Sequence, residues 1–245
     1  MLRYPISTLL YLAKINIKDK IQDALKLHNN IDIRLTAIIK DKDGKIIKQH
    51  KQRSHSFLMN FLAAIATPLI NSYGSMSNLY VFRNTGSTWW CYAPSYTNIT
   101  NMLNANDNSN DSSYGIVVGT GTAPPTPTDY NMEAIISNGT GSGKLLYGAH
   151  TISPASGIGT SNQSTQPSSG VLTPSGNTTS FSMTRTFQNQ SGASITVSEV
   201  GIIAEATAYT QNTIYILIIH DLLSSPITIP NGGVMAITYT ISVTT

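Results

Sequence analysis

From Phe181 to Phe187 the chain reads FSMTRTF, so that Phe181, Met183, Arg185 and Phe187 alternate with Ser182, Thr184 and Thr186. Successive side chains on a strand point to opposite faces, and only an extended, half-buried strand sorts such a series onto two sides. The same period of two recurs in VMAITYTISV, with Met235, Ile237, Tyr239, Ile241 and Val243 opposite Ala236, Thr238, Thr240 and Ser242. IDIRLTAIIK repeats it, with Ile31, Ile33, Leu35, Ala37 and Ile39 against Asp32, Arg34, Thr36 and Lys40. TIYILIIHD is apolar in both phases, as expected of a central strand covered on both faces. SITVSEVGII changes phase between Val197 and Val200, and that slip predicts a β-bulge near Glu199. GIVVGTG (115–121) and the stretches flanking NGTGSGKLL (138–146) read as further strands. At least seven strands with frequent turn signals predict a mainly β chain with an antiparallel β-sandwich or jelly-roll-like domain over residues 115–245. Arg185 falls on an apolar face in this scheme, so it needs a buried partner, and a carboxylate is the expected one.

Before that domain the pattern differs. Residues 7–28 place Leu10, Ala13, Ile17, Ile21, Ala24 and His28 on one helical stripe. DKDG (41–44) then turns the strand IDIRLTAIIK into KIIKQHKQR, a β-hairpin. DKDG lacks the ligand spacing of a calcium loop. A second α-helix is expected from Ser56 until Pro68 stops it, with Phe57, Phe61, Ala64 and Ile65 along one side. The chain therefore divides into a basic helix–hairpin–helix arm (1–70), a Trp/Tyr-rich and polar connector (71–114) and the β-domain (115–245).

Charge divides it in the same place. Before residue 56 there are twelve basic and five acidic residues, a net +7, and after it three basic and seven acidic, a net −4. Lys14, Lys18, Lys26, Lys48, Lys51 and Arg53 are the residues through which such an arm would dock on a neighbour, an acidic partner, a membrane surface or nucleic acid. Charged residues make up only 11% of the chain, replaced largely by Ser, Thr, Asn and Gly, a composition suited to an external protein. So few carboxylates also leave little native ion pairing for acid to protonate. Cys91 is the single cysteine, which excludes an intrachain disulfide framework. The apolar runs at 6–13 and 57–70 are too short for a membrane span, and no cleavage-site pattern follows the first. Residues 98–128 and 151–180 are so polar that order there requires packing on the chain or on neighbouring copies.

Catalytic patterns are not found. In NGTGSGKLL the positions of the first P-loop glycine and the Mg²⁺-binding hydroxyl hold Asn138 and Leu145, so the stretch reads as a hairpin turn rather than a phosphate loop. The five histidines lack metal-ligand spacing, and neither Asp129 with Glu133 nor Glu199 with Glu205 has a supporting feature as a glycosidase pair. No enzymatic activity, metal, cofactor or small-molecule substrate is expected. Trp89, Trp90, Tyr92 and Tyr96 concentrate rigid apolar area in one segment and are the candidates for contact with a partner or a surface receptor. Six N-x-[ST] sequons, at Asn98, Asn110, Asn138, Asn162, Asn177 and Asn189, fit a glycosylatable exterior.

Five phrases occur in a telling order: DKDGKIIKQHKQRSHSFLMNFL, YGIVVGTGTAPPTPTDYNMEAII, LLYGAHTIS, MTRTFQNQSGASITVSEVGII and LIIHDLLSSPITIPNGGVMAITYTI. From about Ile31 to Thr245 the chain resembles a widespread group of β-rich structural proteins encoded by tailed phages and archaeal viruses. Members often carry Arg before the Asp of the last phrase, where this chain has His220 before Asp221. The resemblance implies a β-rich virion component of tail, baseplate, vertex or capsid surface, with no catalytic residues carried over; the polar loops, which need neighbours for order, add the expectation of a homo-oligomer assembled with other virion proteins. Two other roles are compatible with the residues: a host-receptor or glycan-binding adhesin using the tryptophans, and an internal nucleic-acid-binding protein using the basic arm.

Overall fold

In the computed structural model the described residues are 31–54, 57–63, 80–82, 86, 88–90, 104–106, 109–153, 178–207 and 213–244. They are mainly β, in antiparallel sheets. The strands are β1 (Ile31–Lys40), β2 (Ile46–Arg53), β3 (Tyr80–Phe82), β4 (Thr88–Trp90), β5 (Gly115–Gly119), β6 (Leu146–Ser153), β7 (Thr178–Gln188), β8 (Ile195–Thr207), β9 (Thr213–Ile229) and β10 (Val234–Thr244). One sheet has the order β2-β1-β10-β7-β6, a second β5-β8-β9, and a third pairs β3 with β4. The expected first helix, Cys91, and the side chains Lys14, Lys18, Lys26, Tyr92 and Tyr96 lie outside the described residues. Among the described residues no helix is long and apolar enough to cross a membrane.

The alternation does what its period demands. Ile33, Leu35, Ala37 and Ile39 of β1 face inward, as do Met235, Ile237 and Tyr239 of β10 and Met183, Arg185 and Phe187 of β7. Apart from Arg185, these side chains join Val117, Val200, Ile216 and Ile219 of the smaller sheet in one buried cluster. Each fully buried aliphatic or aromatic side chain contributes about 1.5–3 kcal/mol, so this shared core holds the two larger sheets together. β1 lies in the segment read as an arm, yet it is paired along its whole length with β10, Ile31 opposite Val243 through Lys40 opposite Val234. The turn before β2 forms as DKDG predicts: Gly44 takes a φ of 81°, and Asp41 Oδ1 accepts the N–H groups of Asp43 and Lys45. The bulge also falls where the phase slip puts it, between Val197 and Glu199.

Three expectations change. β9 is buried on both faces but lies at the edge of its sheet rather than at its centre. Its free edge is covered instead by residues 57–60: Phe57 bridges Ile219, Leu58 N–H donates to Ile218 O, and Asn60 Nδ2 donates to Leu217 O. The described part of the second helix is the short stretch 59–63. The turn at 138–144 closes at its base, with Gly139 N–H donating to Leu145 O and Leu145 N–H to Ser137 O, but no antiparallel hairpin continues beyond it. Residues 134–136 run along β5, with Ile136 N–H donating to Val118 O, while β6 pairs with β7. Finally, Asn189 is fully buried and its Nδ2 donates to Ala193 O and Ile229 O, so this sequon is no surface acceptor.

Candidate functional site

The polar residues of β9 sit side by side in an apolar strand and point to opposite faces. His220 faces the loop 120–134, and Asp221 faces the five-stranded sheet, where Tyr239 Oη donates to Asp221 Oδ2 at 2.9 Å. Burial, and then the Asp221 carboxylate, push the Tyr239 phenol well above its usual range, so it stays a donor at any ordinary pH.

On the other face Glu199 and His220 come from neighbouring strands. Glu199 pairs with Leu222 and Gly201 with His220, so the carboxylate and imidazole are diagonal neighbours on one face. His220 Nε2 lies 2.9 Å from Glu199 Oε2, and Nδ1 lies 2.7 Å from Asp129 Oδ2. Both acceptors are carboxylates, so both ring nitrogens must carry hydrogen and the residue is an imidazolium. Burial alone would lower the His220 pKa, but the hydrogen bonds and charges of Glu199 and Asp129 raise it above the ordinary value. Burial likewise works against an ionised Glu199, yet the His220 hydrogen bond and the N–H groups of Ala134, Glu133 and Gly121 bring its pKa below the usual range. Asp129 is lowered too: burial opposes ionisation, and the Thr126 hydroxyl and N–H outweigh it together with His220.

The GIVVGTG motif explains how this carboxylate fits. A Cβ on Gly119 would lie 2.3 Å from Glu199 Oε1, and one on Gly121 would lie 2.6 Å from the same atom and 2.5 Å from Glu133 Cβ. Glu133 in turn accepts the N–H groups of Thr122 and Ala123 through Oε2. The cluster is therefore a latch that ties loop 120–134 to β8 and β9. Its imidazole stands between the two carboxylates, so the three groups do not converge on a point. Among the described residues no set of three His, Cys, Asp or Glu side chains is arranged to hold a metal. Both ring nitrogens are engaged and Glu199 and His220 are 1% and 3% exposed, so this buried pair is committed to the latch.

A second buried cation stands between the sheets. Arg185 of β7 donates through Nε to Gly148 O, through NH1 to Tyr114 O and Ile116 O, and through NH2 to Asp111 O. These four acceptors are main-chain carbonyls of β6, β5 and the approach to β5, a set of partners the sequence pattern does not announce. Tyr147 stacks beneath the guanidinium at 4.8 Å and donates from Oη to Ile136 O at 2.6 Å.

The basic residues of β2 part company. Lys48 shares the inward phase of His50 and Gln52 and donates to Pro226 O, while Lys51 and Arg53 lie on the outer face beside Thr36 and Arg34. Trp89 and Trp90 form β4, opposite Val81 and Tyr80. The latch residues escaped notice in the sequence because Asp129, Glu199 and His220 are far apart along the chain. The available signals were the phase slip at Glu199 and a His-Asp pair inside an otherwise apolar strand. No family model, curated protein or solved structure matches the chain.

Proposed function

We propose that this chain is a non-enzymatic structural component of a virion, built on a two-layered antiparallel β-sandwich of jelly-roll type and assembled as a homo-oligomer with other virion proteins of capsid, vertex or tail. One observation supports it most. The phrases that resemble phage and archaeal-virus structural proteins contain Gly119, Gly121, Asp129, Arg185, Glu199, His220, Asp221 and Tyr239, and every one of these serves a clamp rather than an open cleft. Residues of the types that would do chemistry in an enzyme are here engaged in holding loops and sheets. A protein that must survive as a shell or spike component needs just such internal fastening.

The test is immunogold labelling of purified particles with an antibody to the chain, beside the native mass of the recombinant protein. Label on the particle surface or at a vertex or tail, with an oligomeric mass, is the expected result. A chain missing from purified particles sinks the virion reading, and a strict monomer at tens of micromolar sinks the oligomer.

A further inference from the structure

Two adjacent rows on the outer face of the five-stranded sheet are rich in hydroxyls and end in cations. Register places Thr36, Thr238, Thr184 and Thr151 in one row across β1, β10, β7 and β6, with Lys51 of β2 at its end. The next row is Arg34, Thr240, Ser182 and Ser153, ending in Arg53. Thr184 and Thr238 hydroxyls lie 2.7 Å apart, a direct contact at the middle of the row. Strands stand about 4.8 Å apart, so each row spans about 19 Å across five strands.

Arg34 and Arg53 are directly opposed, a like-charge pair that is unfavourable unless something lies between them. Asp32 lies there: its Oδ2 meets Arg34 Nε and its Oδ1 lies 3.2 Å from Arg53 Nε. One carboxylate is thus shared by two guanidiniums through their Nε atoms. Among the described residues the terminal nitrogens of both arginines, and Lys51 Nζ, have no hydrogen-bond partner. The arginine side chains are 74% and 50% exposed. They border a shallow groove of about 340 Å³ together with Thr36, Lys51 and Gln52. Three cations against one carboxylate leave a net +2 at one end of two hydroxyl rows, with planar donor forks suited to oxyanions.

We propose that this face binds an acidic polysaccharide, its sulfate or carboxylate groups held by Arg34, Arg53 and Lys51 and its hydroxyls by the threonine and serine rows. Hydroxyl rows can both donate to and accept from sugar hydroxyls. Single-stranded nucleic acid would need aromatic rings for its bases, and the residues of these two rows include none. The inference rests on this face alone and holds whether or not the chain is a virion component.

The test uses the full chain and a fluorescein-labelled sulfated dodecasaccharide, followed by anisotropy at about 50 and about 500 mM salt. Arg34→Gln with Arg53→Gln should weaken binding about tenfold or more, since two charge-assisted contacts go. Asp32→Asn should tighten it, because the competing carboxylate is lost while both arginines remain. Thr184→Val with Thr238→Val should weaken the dodecasaccharide and leave inorganic sulfate binding unchanged. The proposal is overturned if Asp32→Asn and the double arginine variant bind like the parent, if the valine pair loses nothing, or if a single-stranded oligonucleotide of equal charge binds more tightly than the sugar.

Discussion

His220 and Glu199 meet at 2.9 Å on adjacent strands, diagonal across a bulged register, and Asp129 completes the contact from a loop 70 residues earlier than Glu199. The arrangement couples stability to pH from both sides. His220 titrates above its ordinary 6.5 in the fold, so its contribution is fully present below that value and is lost as pH rises through the raised one. Glu199 and Asp129 titrate below 4.5 and 3.8, so theirs is present above those values and is lost as pH falls through the lowered ones. Thermal unfolding followed from pH 2 to 10 should therefore peak between about 4.5 and 6.5. His220→Gln should lower the melting temperature most in that window, with the gap to the parent narrowing at alkaline pH. An offset of the same size at every pH would show that the imidazolium is not linked to folding. Acid tolerance inferred from a low carboxylate count thus has a limit, because two of the few carboxylates are concentrated in this latch.

The glycines at 119 and 121 give a steric test of the same cluster. Gly121→Ala forces a methyl to within 2.6 Å of Glu199 Oε1 and 2.5 Å of Glu133 Cβ, and overpacking of that kind costs about 1–3 kcal/mol. Glu199→Ala leaves the buried imidazolium with Asp129 as its one carboxylate partner and orphans three N–H donors, a loss of about 3–5 kcal/mol. The two should not add, since removing the carboxylate also removes much of the clash. Urea midpoints of the single and double variants measure this, and strict additivity would mean that the glycine and the carboxylate do not share the space.

Arg185→Lys asks whether a point charge can replace a fork. Lysine has three donors on one nitrogen and cannot reach carbonyls of Gly148, Tyr114, Ile116 and Asp111 together, so buried acceptors lose their partners at about 1–3 kcal/mol each. Amide exchange should quicken at residues 111–116 more than in β10. A lysine variant as stable as the parent, with unchanged exchange, would show that the four carbonyls are satisfied without the guanidinium.

How much of this was legible depends on range along the chain. The period of two in β1, β7 and β10 is a local property and fixed both the strands and their inner faces, and the slip before Val200 marked the bulge. Pairing is not local. TIYILIIHD reads as central because it is apolar on both sides, yet its second cover comes from the short 57–60 segment and the 120–134 loop, which no periodicity announces. NGTGSGKLL reads as a hairpin because a turn motif cannot say that the residues before it run along β5 while those after it pair with β7. The latch depends on three residues brought together by register, so its parts were visible singly, as a bulge and as an odd polar pair, and their meeting was not.

Tyr239 and Ser54 make a final contrast between polar atoms that are used and unused. Tyr239→Phe removes the hydroxyl that serves buried Asp221, and depriving a buried charged acceptor of a donor costs about 1.5–3 kcal/mol. Ser54 is 7% exposed, and its hydroxyl is the one buried side-chain polar atom among the described residues without a hydrogen-bond partner. Ser54→Ala therefore deletes a desolvated group that returns nothing, and the protein should be as stable as the parent or slightly more so. Both variants keep side-chain volume nearly constant, so cavity terms stay small and the difference in urea midpoint reports hydrogen bonding. A Ser54→Ala variant that falls as far as Tyr239→Phe would mean that the serine hydroxyl has a partner in solution.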